Sequence, residues 1–104
     1  MIIQFKNVYL EKLFQDKPVS GKPKYSNEVI LKFKKTILIL QFVDNVTHLR
    51  SFRSLNFEAL KGKLKGFYSV RVDRSYRIIL TVDKEEGIII KDVLTVHDLN
   101  NHYQ

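Results

Sequence analysis

The chain has 104 residues, no cysteine, and 18 Lys+Arg against 11 Asp+Glu, a formal charge of +7. Its 44% hydrophobic and 12% aromatic residues can form one core in a chain this long, which excludes a disordered basic tail. The lack of cysteine excludes disulfide frameworks, thiolate metal sites and cysteine nucleophiles, and the net charge points to a polyanion, to an acidic partner or simply to solubility.

Met1 to Phe5 reads as a short strand, and Leu10, Leu13 and Phe14 at helical spacing predict a helix over Val8 to Gln15. No charged region followed by an apolar stretch and a cleavage site opens the sequence, so a cytoplasmic protein is expected. Lys17 to Pro23 gathers both prolines and one glycine into a loop. Ser26 then offers an N-cap, Glu28 suits the first turn, and Val29, Ile30, Phe33, Ile37 and Leu40 recur at steps of three and four. That pattern predicts an amphipathic helix to Val43, with Phe33, Ile37 and Leu40 facing a sheet. Its apolar run, Thr36 to Val43, is far short of the roughly 20 residues a membrane span needs, so no membrane is expected. Asp44-Asn45 stops that helix and caps a third one carrying Val46, Leu49 and Phe52.

From Leu55 the period shifts toward two. Leu55 to Leu60, Phe67 to Val72, Tyr76 to Val82 and Ile88 to Val96 read as strands, with Lys84-Glu85-Glu86-Gly87 as the last hairpin turn. Helices followed by strands imply an α+β domain over residues 1–104. The N-terminal strand and two to three helices would pack on one face of an antiparallel four-stranded sheet. For the hairpin between the second and third of these strands, parity selects a three-residue loop, Asp73-Arg74-Ser75. That loop pairs Val72 with Tyr76, Val70 with Ile78 and Tyr68 with Leu80, whereas a two-residue loop would mix the faces.

The same register sets Arg71 across from Arg77 on the other face, and like charges so opposed cost some tenths of a kcal/mol. A carboxylate of the chain or a bound anion should compensate, and forked arginine donors suit a phosphate. Upstream, Lys61, Lys63 and Lys65 alternate between Gly62 and Gly66 and lead into Phe67 and Tyr68. Basic residues beside aromatic ones fit a face that grips a nucleic-acid backbone and stacks on bases, although a charge run of this kind is also an ordinary solvated surface. Six basic residues lie between Leu60 and Ile78 against the single acid Asp73. Phe67 falls on the arginine face and is the stacking candidate, with Lys63, Lys65 and Arg74 as RNA contacts. Tyr68 and Tyr76 fall on the apolar face. His48 reads as surface and His97 stays open; three dispersed histidines do not make a metal-ligand spacing.

Leu60-Lys61-Gly62, Gly66-Phe67-Tyr68-Ser69-Val70-Arg71-Val72 and Tyr76-Arg77-Ile78 resemble the central block of the HigB toxins in the RelE/ParE superfamily of type II toxin–antitoxin systems. Met1-Ile2, Phe5-Lys6, Leu10, Leu13-Phe14 and Ser20-Gly21-Lys22-Pro23 extend the resemblance over nearly the whole chain. It implies a metal-independent endoribonuclease that cuts mRNA on the ribosome and is silenced by a HigA-like antitoxin in a hetero-oligomer. In that chemistry the ribose 2′-OH attacks the adjacent phosphate, with proton transfer at two oxygens and charge gathering on phosphorus. Arg71, Arg77 and Lys61 match the family's basic positions and form the expected electrostatic set. The family's histidine before Leu-Lys-Gly is replaced here by Glu58 or Phe57, and its C-terminal Asp-Tyr-His by Asn100-Asn101-His102-Tyr103. The acid–base candidates are therefore His102, then Tyr103, then Glu58. Two other readings stand beside that of an endoribonuclease: a ParE-like toxin that shares the fold and acts on DNA gyrase without cutting RNA, against which the Arg71/Arg77 pair and the C-terminal His102-Tyr103 argue, and a basic RNA-binding module without catalysis.

Overall fold

A computed structural model of the chain describes residues 1–102. In order these form β1 (Ile2–Phe5), α1 (Val8–Phe14), α2 (Asn27–Phe42), α3 (Val46–Arg50), β2 (Glu58–Ala59), β3 (Tyr68–Arg71), β4 (Arg77–Glu85) and β5 (Lys91–Asn100). Short 3₁₀ turns occupy Arg53–Leu55 and Gly62–Leu64. No helix among the described residues is long and apolar enough to cross a membrane.

Each helix starts where a side-chain oxygen can take an orphaned backbone N–H. Asn7 accepts from Leu10 N at 3.1 Å, Ser26 from Val29 N at 3.2 Å and Asn45 from His48 N at 2.8 Å. The predicted caps Ser26 and Asn45 thus hold in the structure. The buried stripe of α2, Val29, Phe33, Ile37 and Leu40, packs with Leu10 and Leu13 of α1 and Leu49 of α3. Against them the sheet presents Val70, Ile78, Leu80, Leu94, Val96 and Leu99. Phe33, Ile37 and Leu40 are fully buried, as the helical spacing required. Truncating Phe33 to Ala would cost about 3–5 kcal/mol through the transfer energy of the ring and the cavity left behind.

The sheet departs from the expected four antiparallel strands. It has five, in the order β1-β5-β4-β3-β2, and β1 lies within it, parallel to β5, with Ile2 opposite Val93 and Phe5 opposite Val96. The chain therefore opens by supplying an edge strand, and the helices alone cover the inner face. The strand expected over Leu55 to Leu60 shrinks to two residues, because Leu55 ends a 3₁₀ turn and Asn56 takes a left-handed conformation with φ 44°. Asn is among the few non-glycine residues that tolerate such a φ.

The last hairpin is displaced as well. β4 runs on through Lys84 and Glu85, which pair with Asp92 and Lys91, so the turn falls on residues 86–90. Ile88, Ile89 and Ile90, expected in a strand, lie outside it and are exposed. By contrast, the β3–β4 hairpin has the register that parity selects: Tyr68 opposite Leu80, Val70 opposite Ile78, Arg71 opposite Arg77. Val72 N–H donates to Tyr76 O at 2.9 Å, and Asp73 Oδ1 accepts from Ser75 N at 2.8 Å and Tyr76 N at 2.6 Å, which fixes the turn. Tyr68 and Tyr76 pack against the core cluster as expected. Tyr68 stacks on Phe57 at 5.1 Å, and Tyr76 meets Tyr25 edge-on at 5.9 Å.

Candidate functional site

Arg71 and Arg77 stand opposite each other on the sheet face away from the helices, with unequal surroundings. Arg71 is exposed, whereas Arg77 retains 8% of its surface. Burying a guanidinium requires that its donors be met. Arg77 Nε donates to Ser69 Oγ at 2.8 Å and its Nη2 donates to the Asn56 carbonyl at 2.8 Å. The same Nη2 lies 3.4 Å from Glu58 Oε1. The carboxylate that offsets the arginine pair is thus Glu58, carried by β2 and half exposed.

These groups border a cleft of about 400 Å³, into which Glu58, Arg71, Arg74, Arg77, Ser75 and Asn101 open. Three arginines, two of them cross-strand partners and one at the tip of the turn, outnumber the two carboxylates of the lining, Glu58 and Asp73, and Asp73 Oδ1 is taken up by the turn, so a space of that size suits a phosphodiester with its flanking riboses. Such preorganised donors stabilise charge that develops on phosphoryl oxygens. Glu58, the last of the three acid–base candidates from sequence, is the one that the structure brings into the cleft beside both arginines. Arg77 also pairs across β4–β5 with Asn100, so the chain leaves β5 at the cleft wall, where Asn101 lines it. His102 follows, exposed, and is not among the lining residues. Tyr103 lies outside the described residues.

Lys61, Lys63 and Lys65 do not line the cleft. They sit exposed around the 3₁₀ turn Gly62–Leu64, and Gly62 and Gly66 take φ of 65° and 96°, which let the chain double back. Leu60 N–H donates to Phe67 O at 2.9 Å and closes this lysine loop. Phe67 lies beyond the cleft on the same sheet face, meeting His97 edge-on at 5.0 Å.

Ser69, Asn56 and Asn101 join the site without having been expected from the sequence. Ser69 had a signal, since it alternates with Phe67 and Arg71 on the face opposite the core. Asn56 acts through its carbonyl, which any residue has, so its position depends on the turn alone. At the rear of the site Tyr25 donates its hydroxyl to Leu99 O at 2.7 Å and anchors the loop before α2 to β5. Burial, with Asp98 adding to it, pushes that hydroxyl up to about 12, so Tyr25 stays a donor at neutral pH and cannot act as a base.

The sequence matches, over residues 3–97, the family model described as the RelE-like toxin of type II toxin–antitoxin system HigB. It is 32% identical over 97 residues to Toxin HigB-1 of Vibrio cholerae serotype O1, covering 93% of this chain and 98% of that protein. Among solved structures it is similar to a YoeB/ParE toxin from Agrobacterium tumefaciens, with a TM-score of 0.56 at 17% identity over 99% of this chain and 100% of that one. It is also similar to a mutant of the YafQ toxin from E. coli, with a TM-score of 0.54 at 16% identity over 96% of this chain and 91% of that one. At those identities the two structures establish the shared fold.

Proposed function

The chain belongs to the HigB-like toxin family of type II toxin–antitoxin systems, which implies a cognate antitoxin, and from that premise we propose that it is an endoribonuclease that cuts mRNA on the ribosome. The observation that carries this reading is the cross-strand pair Arg71 and Arg77, opening with Glu58 into one cleft of about 400 Å³. In the proposed reaction the ribose 2′-OH loses its proton to a base and attacks the neighbouring phosphorus. The bond to the 5′-oxygen breaks, and that oxygen takes a proton, leaving a 2′,3′-cyclic phosphate and a 5′-hydroxyl.

Charge gathers on the non-bridging oxygens as the attack proceeds. Arg71, exposed at the cleft, supplies the donors free to follow them; Arg77, held by Ser69 and Asn56, supplies a fixed positive field. Glu58, at the cleft beside the arginines, is proposed as the base that takes the 2′-OH proton. His102 or Tyr103 is proposed as the acid that protonates the leaving oxygen. Lys61 adds charge from the neighbouring loop, and Lys63, Lys65 and Arg74 hold the RNA backbone. The antitoxin silences the toxin by forming a hetero-oligomer with it in the cytoplasm.

Mapping RNA 5′ ends after brief expression, with translation running and with it blocked, tests the proposal. Cuts in translated messages that vanish when translation stops, and that are lost in Arg71→Ala, are expected. Growth arrest without RNA cuts would overturn it in favour of a ParE-like action on DNA gyrase.

A further inference from the structure

The open sheet face carries a second constellation beyond the cleft, made by Phe67, Thr81 and His97. Ile79 pairs with Asp98 and Leu80 with Val96, so His97 is the extra residue of a β-bulge with no partner on β4. A bulge breaks the alternation of a strand and re-aims a side chain. Here the re-aimed residue is Asp98, which pairs with Ile79 on the open face; His97 keeps the alternation of Val93 and Thr95 and lies on that face too, where its Nε2 is 3.0 Å from Thr81 Oγ1. That contact occupies one ring nitrogen and sets the plane of the ring. Phe67 meets it with ring centroids 5.0 Å apart and planes 78° apart. Two half-buried rings thus form the walls of a right-angled corner, and His97 Nδ1 makes no hydrogen bond among the described residues.

The corner is continuous with the cleft. Phe67, Ser69 and Arg71 follow one another at two-residue steps, and Arg77 and Thr81 mark the same face of β4, four residues or roughly 13 Å apart along the strand. The lysine loop that Leu60 and Phe67 close lies directly beside it. An RNA strand with its phosphate at the arginines therefore meets, within a few nucleotides, a pair of aromatic walls and then a row of cations. A planar base stacked on one ring meets the edge of the other, and the free Nδ1 can bond a base edge. Covering Ile79, which is 3% exposed on this face, needs only apolar bulk; it accounts neither for a polar ring nor for the threonine that orients it.

We propose that Phe67 and His97 form a nucleobase-binding corner that receives one base of the RNA at a fixed offset from the cut. This rests on the ribonuclease reading above and adds to it a determinant of where cutting occurs. Because purines stack more strongly than pyrimidines, wild type should favour purines at that one offset.

Cut-site mapping in translating cells tests it with Phe67→Tyr, Phe67→Leu, His97→Ala and Thr81→Val. Phe67→Leu and His97→Ala should cut purine-containing sites about tenfold less and lose the preference at that offset, with little change at other offsets. Phe67→Tyr should keep the preference, since the ring remains. A ring that merely covers Ile79 would make Tyr and Leu behave alike, and that result overturns the inference, as does an unchanged or uniformly lowered cut pattern. Where His97→Ala melts early, Thr81→Val reports in its place, because it removes only the oxygen that orients the ring. If Arg71→Ala abolishes cutting while these variants leave the pattern intact, the corner falls alone. Absence of cuts by wild type overturns both proposals.

Discussion

Arg71 and Arg77 are direct cross-strand partners, yet one is exposed and the other is held by Ser69 Oγ, the Asn56 carbonyl and Glu58. Equal charge at equal register therefore sits in two different surroundings. Removing Arg71 relieves a like-charge contact and breaks no buried bond, so Arg71→Ala should change stability by less than about 0.5 kcal/mol. It should still lower the cutting rate on the order of 10²–10³-fold. Arg77→Ala leaves Ser69 and the Asn56 carbonyl without their partner and should cost about 1–3 kcal/mol of stability besides activity. Urea unfolding of both variants alongside RNA cutting separates the roles; equal destabilisation by both would contradict the assignment.

The lysine loop supports a different measurement. Lys63 and Lys65 are exposed and make no ion pair among the described residues, so their charge is available to a polyanion. Each phosphate that a lysine no longer neutralises should make the slope of log affinity against log salt shallower by about 0.7 for a single strand. Lys63→Ala and Lys65→Ala should therefore weaken RNA or ribosome binding most at low salt. An unchanged slope would assign these lysines to solubility.

The α2 stripe, its Ser26 cap and the β3–β4 register were legible because each depends on residues close in sequence: a period, a cap oxygen, a parity. The partner of β1 was not, since Ile2 meets Val93 across almost the whole chain and nothing local encodes that choice. The bulge left one trace. Core residues of β5 run Leu94, Val96 and then Leu99, a step of three where an unbroken strand has two. The arginine pair could be found from parity, and Glu58 only from the resemblance, as the residue standing where the family has its histidine. The burial of Arg77 could not, because the turn at Asn56 that supplies its acceptor is set by tertiary packing.

Asp92 predicts a pH dependence. Its Oδ2 accepts from Val46 N at 2.8 Å at the start of α3 and its Oδ1 from Lys84 at 3.1 Å. The Val46 N–H chiefly, with Lys84, holds the carboxyl below its ordinary value despite burial. A carboxylate depressed in the folded state adds stability above its unfolded pKa, near 3.9, and loses it as pH falls through the folded value. Asp92→Asn should cost about 1 kcal/mol at pH 7, mostly through the helix start, because Lys84 is largely exposed. The difference between wild type and variant should shrink below about pH 4. Unfolding at pH 7 and pH 3 checks it, and a gap that does not narrow would remove Asp92 as its source.

Ile88, Ile89 and Ile90 give the sharpest test of the displaced hairpin. A strand placed from Ile88 to Val96 would bury at least one of them, whereas in the structure they keep 106%, 70% and 62% of their surface exposed. Replacing Ile88 and Ile89 together by serine should leave stability within about 0.5 kcal/mol of wild type, as for other surface changes. Ile78→Ala, which empties a fully buried position opposite Val70, should cost about 2–5 kcal/mol. The serine variant should also stay soluble at higher concentration, because it removes β-branched apolar residues from an exposed turn. A loss above about 2 kcal/mol in that variant would mean that an isoleucine of the turn is packed in the core, since only cavity-forming changes reach that size at an apolar site.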